Sequence, residues 1–133
     1  MANYDNFKTS GVKGVQTLDA LFVLEATVDT TVQNATENDT FDLFDIPAGT
    51  AVIGVGLYGK GEDEASTRNI QIGSSTTANA ILNTTDIKAE DINSYSAGQG
   101  VYFPTETEVK VKFTSDATHD TTKLTVKLVC VTV

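Results

Sequence analysis

Tryptophan is missing from this chain of 133 residues, and cysteine, histidine, arginine and methionine occur once each. Each scarcity excludes something. One cysteine, Cys130, forms no disulfide within the chain. One histidine, His119, cannot build the multi-histidine metal site of a cupin-like enzyme. One arginine, Arg68, and eight dispersed lysines give no basic stripe, and the net charge is −9. Phosphate neutralisation needs clustered cations, so nucleic acid is not an expected partner. Apolar runs are short. None approaches 18 residues, so no membrane-spanning helix is expected. The first residues, Met1-Ala-Asn-Tyr-Asp-Asn6, have neither a basic nor an apolar region, so no secretory signal is expected. Synthesis in a cytoplasm follows from that reading.

The residues that are abundant point to strands. Threonine and valine recur, and β-branched side chains favour extended backbone. With 40% apolar and 20% charged residues the chain has the makings of one soluble, cored domain. Residues 1–17 are polar, contain Gly11 and Gly14 and follow neither the helical nor the strand period. They read as an N-terminal arm, with Phe7, Val12 and Val15 as spaced anchors. Residues 18–133 read as one β-sandwich domain.

Within that domain, Leu18, Ala20, Phe22, Leu24, Ala26 and Val28 alternate onto one face, the signature of a strand. Residues 29–40 are turn-rich, with a short strand expected about Val32. Phe41–Ile46 and Ala51–Gly59 flank a Pro47-Ala-Gly-Thr50 turn. In the second of these, Ile53, Val55 and Leu57 are expected inward. Gly54 and Gly56 lie opposite, where missing side chains allow a bulge or a close neighbour. Arg68–Gly73 is a short strand with Ile70 and Ile72 inward. Ile81, Leu82, Ile87 and Ile92 are spaced to line a short helix about Thr85–Asn93, capped by Thr84 or Thr85. Val109, Val111 and Phe113 alternate with Glu108, Lys110 and Lys112. Leu124, Val126, Leu128 and Cys130 alternate in the last strand, which is expected to form a hairpin with the one before it. The sum is an all-β protein: an antiparallel β-sandwich or jelly roll with at most one short helix.

Catalytic patterns are weak. His119 sits in Asp116-Ala-Thr-His-Asp120 between two strands and reads as a solvated loop residue. Glu62-Asp63-Glu64 lacks the ligand spacing of a calcium loop. Asp42 and Asp45 would suit a glycosidase pair only on one face, and a strand spacing of three puts them on opposite faces unless a bulge intervenes. Gly54, Gly56, Gly59 and Gly61 match no phosphate-binding pattern. No catalytic residue, metal ligand or cofactor site is expected, and the chain reads as a non-enzyme. What remains is an apolar surplus. Leu21, Val23, Val129, Val131 and Val133 make the outer faces of two strands apolar, which suggests a subunit interface.

Residues 41–133 resemble the small jelly-roll virion proteins of tailed bacteriophages, head decoration (cement) proteins above all. The resemblance rests on Phe41-Asp-Leu-Phe-Asp-Ile-Pro-Ala-Gly-Thr-Ala-Val-Ile-Gly-Val55, on the central strand ending at Ile72-Gly-Ser74, and on the Thr- and Lys-rich closing strands. It implies a subunit on the capsid surface that bridges neighbouring shell subunits. Its partners would be the major capsid protein and further copies of itself, as a trimer or dimer. A tail or neck subunit is the main alternative within that class. Outside it stands a carbohydrate-binding or adhesion module, disfavoured because Trp is absent and Tyr4, Tyr58, Tyr95 and Tyr102 are dispersed along the chain.

Overall fold

The computed structural model describes residues 2–9, 21–61, 67–88 and 90–133. These form ten strands and no helix. They are β1 (Asn3–Tyr4), β2 (Leu21–Asp29), β3 (Thr40–Ile46), β4 (Thr50–Lys60), β5 (Asn69–Gly73), β6 (Leu82–Asp86), β7 (Asp91–Ser96), β8 (Tyr102–Phe103), β9 (Thr107–Phe113) and β10 (Lys123–Thr132). One sheet has the order β1-β3-β9-β5-β6. The other has the order β2-β10-β4-β7, with β8 pairing to the start of β4. All pairings are antiparallel except β1 with β3. The fold is the expected all-β sandwich.

Alternation builds the core. β10 turns Leu124, Val126, Leu128 and Cys130 inward, all fully buried, and pairs them with Val28, Ala26, Leu24 and Phe22 of β2. β9 contributes Val109, Val111 and Phe113 from the facing sheet. Burial pushes the Cys130 thiol up to about 12. A thiolate is the reactive species, so a disulfide-exchange reagent at mildly alkaline pH is expected to label Cys130 no faster than the protein unfolds. Rapid stoichiometric labelling of folded protein would refute this placement.

Five expectations are corrected. β9 and β10 are not a hairpin. The chain crosses from one sheet to the other after Phe113, because each strand has one apolar face and the two sheets need one each. The segment expected as a helix is instead β6 and β7, which lie in different sheets. Ile81, Leu82, Ile87 and Ile92 are buried along that crossover. Ile53 points outward and is 46% exposed, because a bulge against Val129 and Cys130 shifts the parity of β4, so that Val52, Val55 and Leu57 face the core. His119 is fully buried rather than solvated. Its backbone bridges Ala35 in both directions (2.7 and 3.0 Å), its ring meets Phe113 edge-on at 4.6 Å, and Nδ1 lies 3.3 Å from Thr122 Oγ1. The β9–β10 crossover thereby closes one end of the sandwich. The strand expected about Val32 is a turn, and its side chain is exposed.

Candidate interaction face

The outer surfaces of the two sheets differ sharply. On the β1-β3-β9-β5-β6 sheet the outer face is ionic. A register shift between Asp42 and Phe44 inserts Leu43 as an extra buried residue, so Asp42 and Asp45 both face outward, opposite Lys110 and Glu108. The two aspartates therefore do share a face, but each is held by a lysine. Lys110 Nζ reaches Asp42 at 2.5 Å, Asn3 at 3.1 Å and Glu108 at 3.3 Å. Lys8 Nζ reaches Glu108 at 2.6 Å and Asp45 at 3.3 Å. Burial lowers the Lys110 pKa, yet the Asp42 hydrogen bond and charge outweigh it and the net shift is upward. This is a clamp rather than an acid–base pair.

The clamp holds residues 2–9 to the domain. Tyr4 and Phe7 stack on Phe41 at 4.9 and 5.9 Å, and the Thr9 amide donates to Leu43 O at 2.8 Å. The hydrogen bond from Lys8 depresses the Glu108 pKa below its ordinary 4.5. A depressed carboxylate stabilises the fold above its ordinary pKa and loses that contribution as pH falls through the folded value. Acidification below about 4.5 is therefore expected to lower protection of the Thr9 amide, corrected for intrinsic exchange, while β4–β10 amides stay protected. Unchanged Thr9 protection would overturn this.

The outer face of the β2-β10-β4-β7 sheet is apolar over most of its extent. Rows run across it in register. Leu21, Val131, Ala51 and Tyr102 form one, and Val23, Val129 and Gly54 the next. Then come Glu25, Lys127, Gly56 and Tyr95, and finally Thr27, Thr125, Tyr58 and Asn93. Leu21, Tyr102 and Tyr95 are 39, 49 and 60% exposed. The two strand glycines serve the tyrosines. A Cβ on Gly54 would lie 2.1 Å from Tyr95 Oη, and one on Gly56 would lie 2.6 Å from the Tyr58 ring. Each ring thus lies flat along β4.

Of the residues expected to make contacts, Leu21, Val23, Val129 and Val131 come together on this one face, and Val133, just past the end of β10, is exposed. Phe7 is elsewhere, against Phe41 of its own chain, and Val12 and Val15 lie outside the described residues, as does the Glu62–Glu64 run. Ile53, Tyr95 and Tyr102 were not anticipated there. The signal was Gly54 and Gly56, which mark where a neighbouring ring must lie close. Among the described residues no group of three or more His, Cys, Asp or Glu is placed to hold a metal.

No family model and no curated protein sequence matches the chain. Solved structures do. A chain in the acid-stable capsid of Helicobacter pylori bacteriophage KHP30 superposes with a TM-score of 0.64 at 22% identity, covering 84% of this chain and 87% of that one. A chain of the cyanophage Pam1 capsid asymmetric unit gives 0.62 at 14%, covering 92% of each. A chain of the Ralstonia phage GP4 capsid gives 0.69 at 10%, covering 100% of this chain and 99% of that one. At these identities the likeness establishes a shared fold. It extends across 84 to 100% of this chain and 87 to 99% of those chains.

Proposed function

We propose that this protein is a bacteriophage virion subunit, a capsid decoration (cement) protein that sits on the outer shell and bridges neighbouring shell subunits. Its partners are the major capsid protein and further copies of itself. It carries no catalytic centre. It is made in the host cytoplasm and ends in the virion. The observation that carries this reading is the end-to-end match of the sandwich to a chain of the phage GP4 capsid. The apolar outer face supports it, since a contiguous apolar patch on a chain of net charge −9 has more use as an interface than as a free surface. Many copies on a symmetric lattice gain avidity from modest individual contacts. Residues 2–9 stay on their own domain, with Phe7 against Phe41, and the part of the expected arm that holds Val12 and Val15 is the part that reaches a neighbour in this reading.

The test is binding to expanded, undecorated capsids of the source virus, read by sedimentation and negative-stain imaging with a heat challenge. Saturable occupancy of symmetry-related sites and greater heat resistance are expected. Protein found only in tails, or free in the lysate, would overturn the decoration role. One observation favours a second reading. Tyr58, Tyr95 and Tyr102, dispersed along the chain, gather on one face, where aromatic rings suit a sugar's apolar side. Selective binding on a glycan array, without capsid binding, would favour that carbohydrate-binding module instead.

A further inference from the structure

We infer that the apolar outer face of the β2-β10-β4-β7 sheet is covered by the same face of a second copy, in a two-fold dimer. The inference deepens the self-association part of the virion reading and commits it to one face and one stoichiometry. Three observations support it. The first is area. Leu21, Ile53, Tyr95 and Tyr102 are 39, 46, 60 and 49% exposed. With the half-buried Val23, Val129 and Val131 they form a continuous exposed patch across neighbouring strands, the kind of surface that a partner covers in a standard interface of ~800 Å² a side.

The second is charge. The chain carries −9, so two copies repel wherever their acidic surfaces meet. This face holds Glu25 and Lys127, which sit side by side at 3.9 Å and cancel, and its apolar rows carry no charge at all. It is the face on which like-charged copies approach at least cost. By contrast, the opposite outer face is occupied by the clamp of Lys8, Asp42, Asp45, Glu108 and Lys110.

The third is symmetry. A trimer or higher ring needs two different complementary patches on each subunit, whereas a two-fold needs one patch complementary to itself. The described residues offer a single such patch, a sheet face apolar across neighbouring strands. Two such faces stack as aligned sheets do inside a sandwich, side chain between side chain.

The experiment is sedimentation equilibrium on the free, full-length protein. The expected mass is twice the 14.1 kDa of the chain. Raising salt should tighten the dimer by screening the mutual repulsion. Val131→Lys, in the apolar row with Leu21 and Tyr102, should give a monomer with an unchanged circular dichroism spectrum. Asn83→Lys, on exposed β6 of the other sheet, should remain dimeric and so controls for added charge. A wild-type monomer up to millimolar concentration, a trimer, or a dimer that survives Val131→Lys would each overturn the inference. If Val131→Lys fails to fold, Val129→Thr, which keeps the β-branched shape, should still weaken the dimer at least tenfold. Unchanged affinity would then overturn it. Because capsids are absent from this assay, failure to dimerise and failure to decorate are separate results.

Discussion

Phe41→Ala is expected to remove about 4 kcal/mol of stability, the cost of a large buried aromatic with the cavity it leaves, and to lower the melting temperature by roughly 15 °C. Phe41 is fully buried and central to a row of rings. Tyr4 and Phe7 lie against it on one side at 4.9 and 5.9 Å, and Phe113 meets it edge-on at 5.5 Å on the other. Phe113 in turn meets His119 of the β9–β10 crossover. One side chain therefore joins the N-terminal segment, the middle of one sheet and the crossover that closes the sandwich end. Its truncation should also release residues 2–9, whose apolar footing is this ring. Urea unfolding measures the first effect, as a lower midpoint at unchanged slope. Amide exchange at Thr9 measures the second. A loss below about 1 kcal/mol would mean that the ring is not the keystone its contacts indicate.

Gly59→Ala is expected to cost about 3 kcal/mol, through a different mechanism: backbone strain together with a clash. Gly59 lies one residue before the end of the long pairing of β4 with β10, opposite Leu124, with φ at +138°. A side chain at that φ is strained, because Cβ collides with the backbone there. The space is closed as well. A Cβ would lie 2.0 Å from the Lys123 carbonyl oxygen, in the central strand of its sheet, and a ladder carbonyl cannot swing away as a side chain would. Gly100 supplies the comparison. Its φ is +62°, but nothing lies within 4 Å of a Cβ. Gly100→Ala should therefore lose only about 1 kcal/mol, the left-handed penalty alone. Thermal unfolding of the two variants side by side checks the difference. Equal losses would show that conformation, not contact, dominates at both sites.

Several strands were legible because their burial is periodic. β2 alternates buried and more exposed residues throughout, and β5, β9 and β10 do so over most of their length, and local alternation is all that a period-2 reading needs. β3 and β4 were legible as strands, and Val55 and Leu57 face the core as expected, but the bulges were not legible. One extra residue in each, Leu43 and Ile53, reverses which side the following residues face. Such bulges depend on the partner strand, which a local pattern does not contain. The same reasoning accounts for β6 and β7. Ile81, Leu82, Ile87 and Ile92 suit a helix stripe by spacing, and become two strands only because β5 and β4 stand ready to pair with them. His119 is a similar case. A polar loop of Asp, Thr and Ser reads as solvated until the crossover is seen to cap a core containing Phe113.

Residue chemistry alone was enough for the fold class: extended backbone from Thr and Val, and a core from alternation. It was also enough to mark Leu21, Val23, Val129, Val131 and Val133 as surplus to one core. Only the tertiary structure decided that Leu21, Val23, Val129 and Val131 belong to one face, that Ile53, Tyr95 and Tyr102 join them, and that Phe7 instead docks on Phe41 of its own chain. The physical reason is that side-chain preference and period act between neighbours in sequence, whereas a sheet face is assembled from strands far apart in the chain. Its composition is settled by register and bulges, where a shift of one residue turns a side chain from core to solvent.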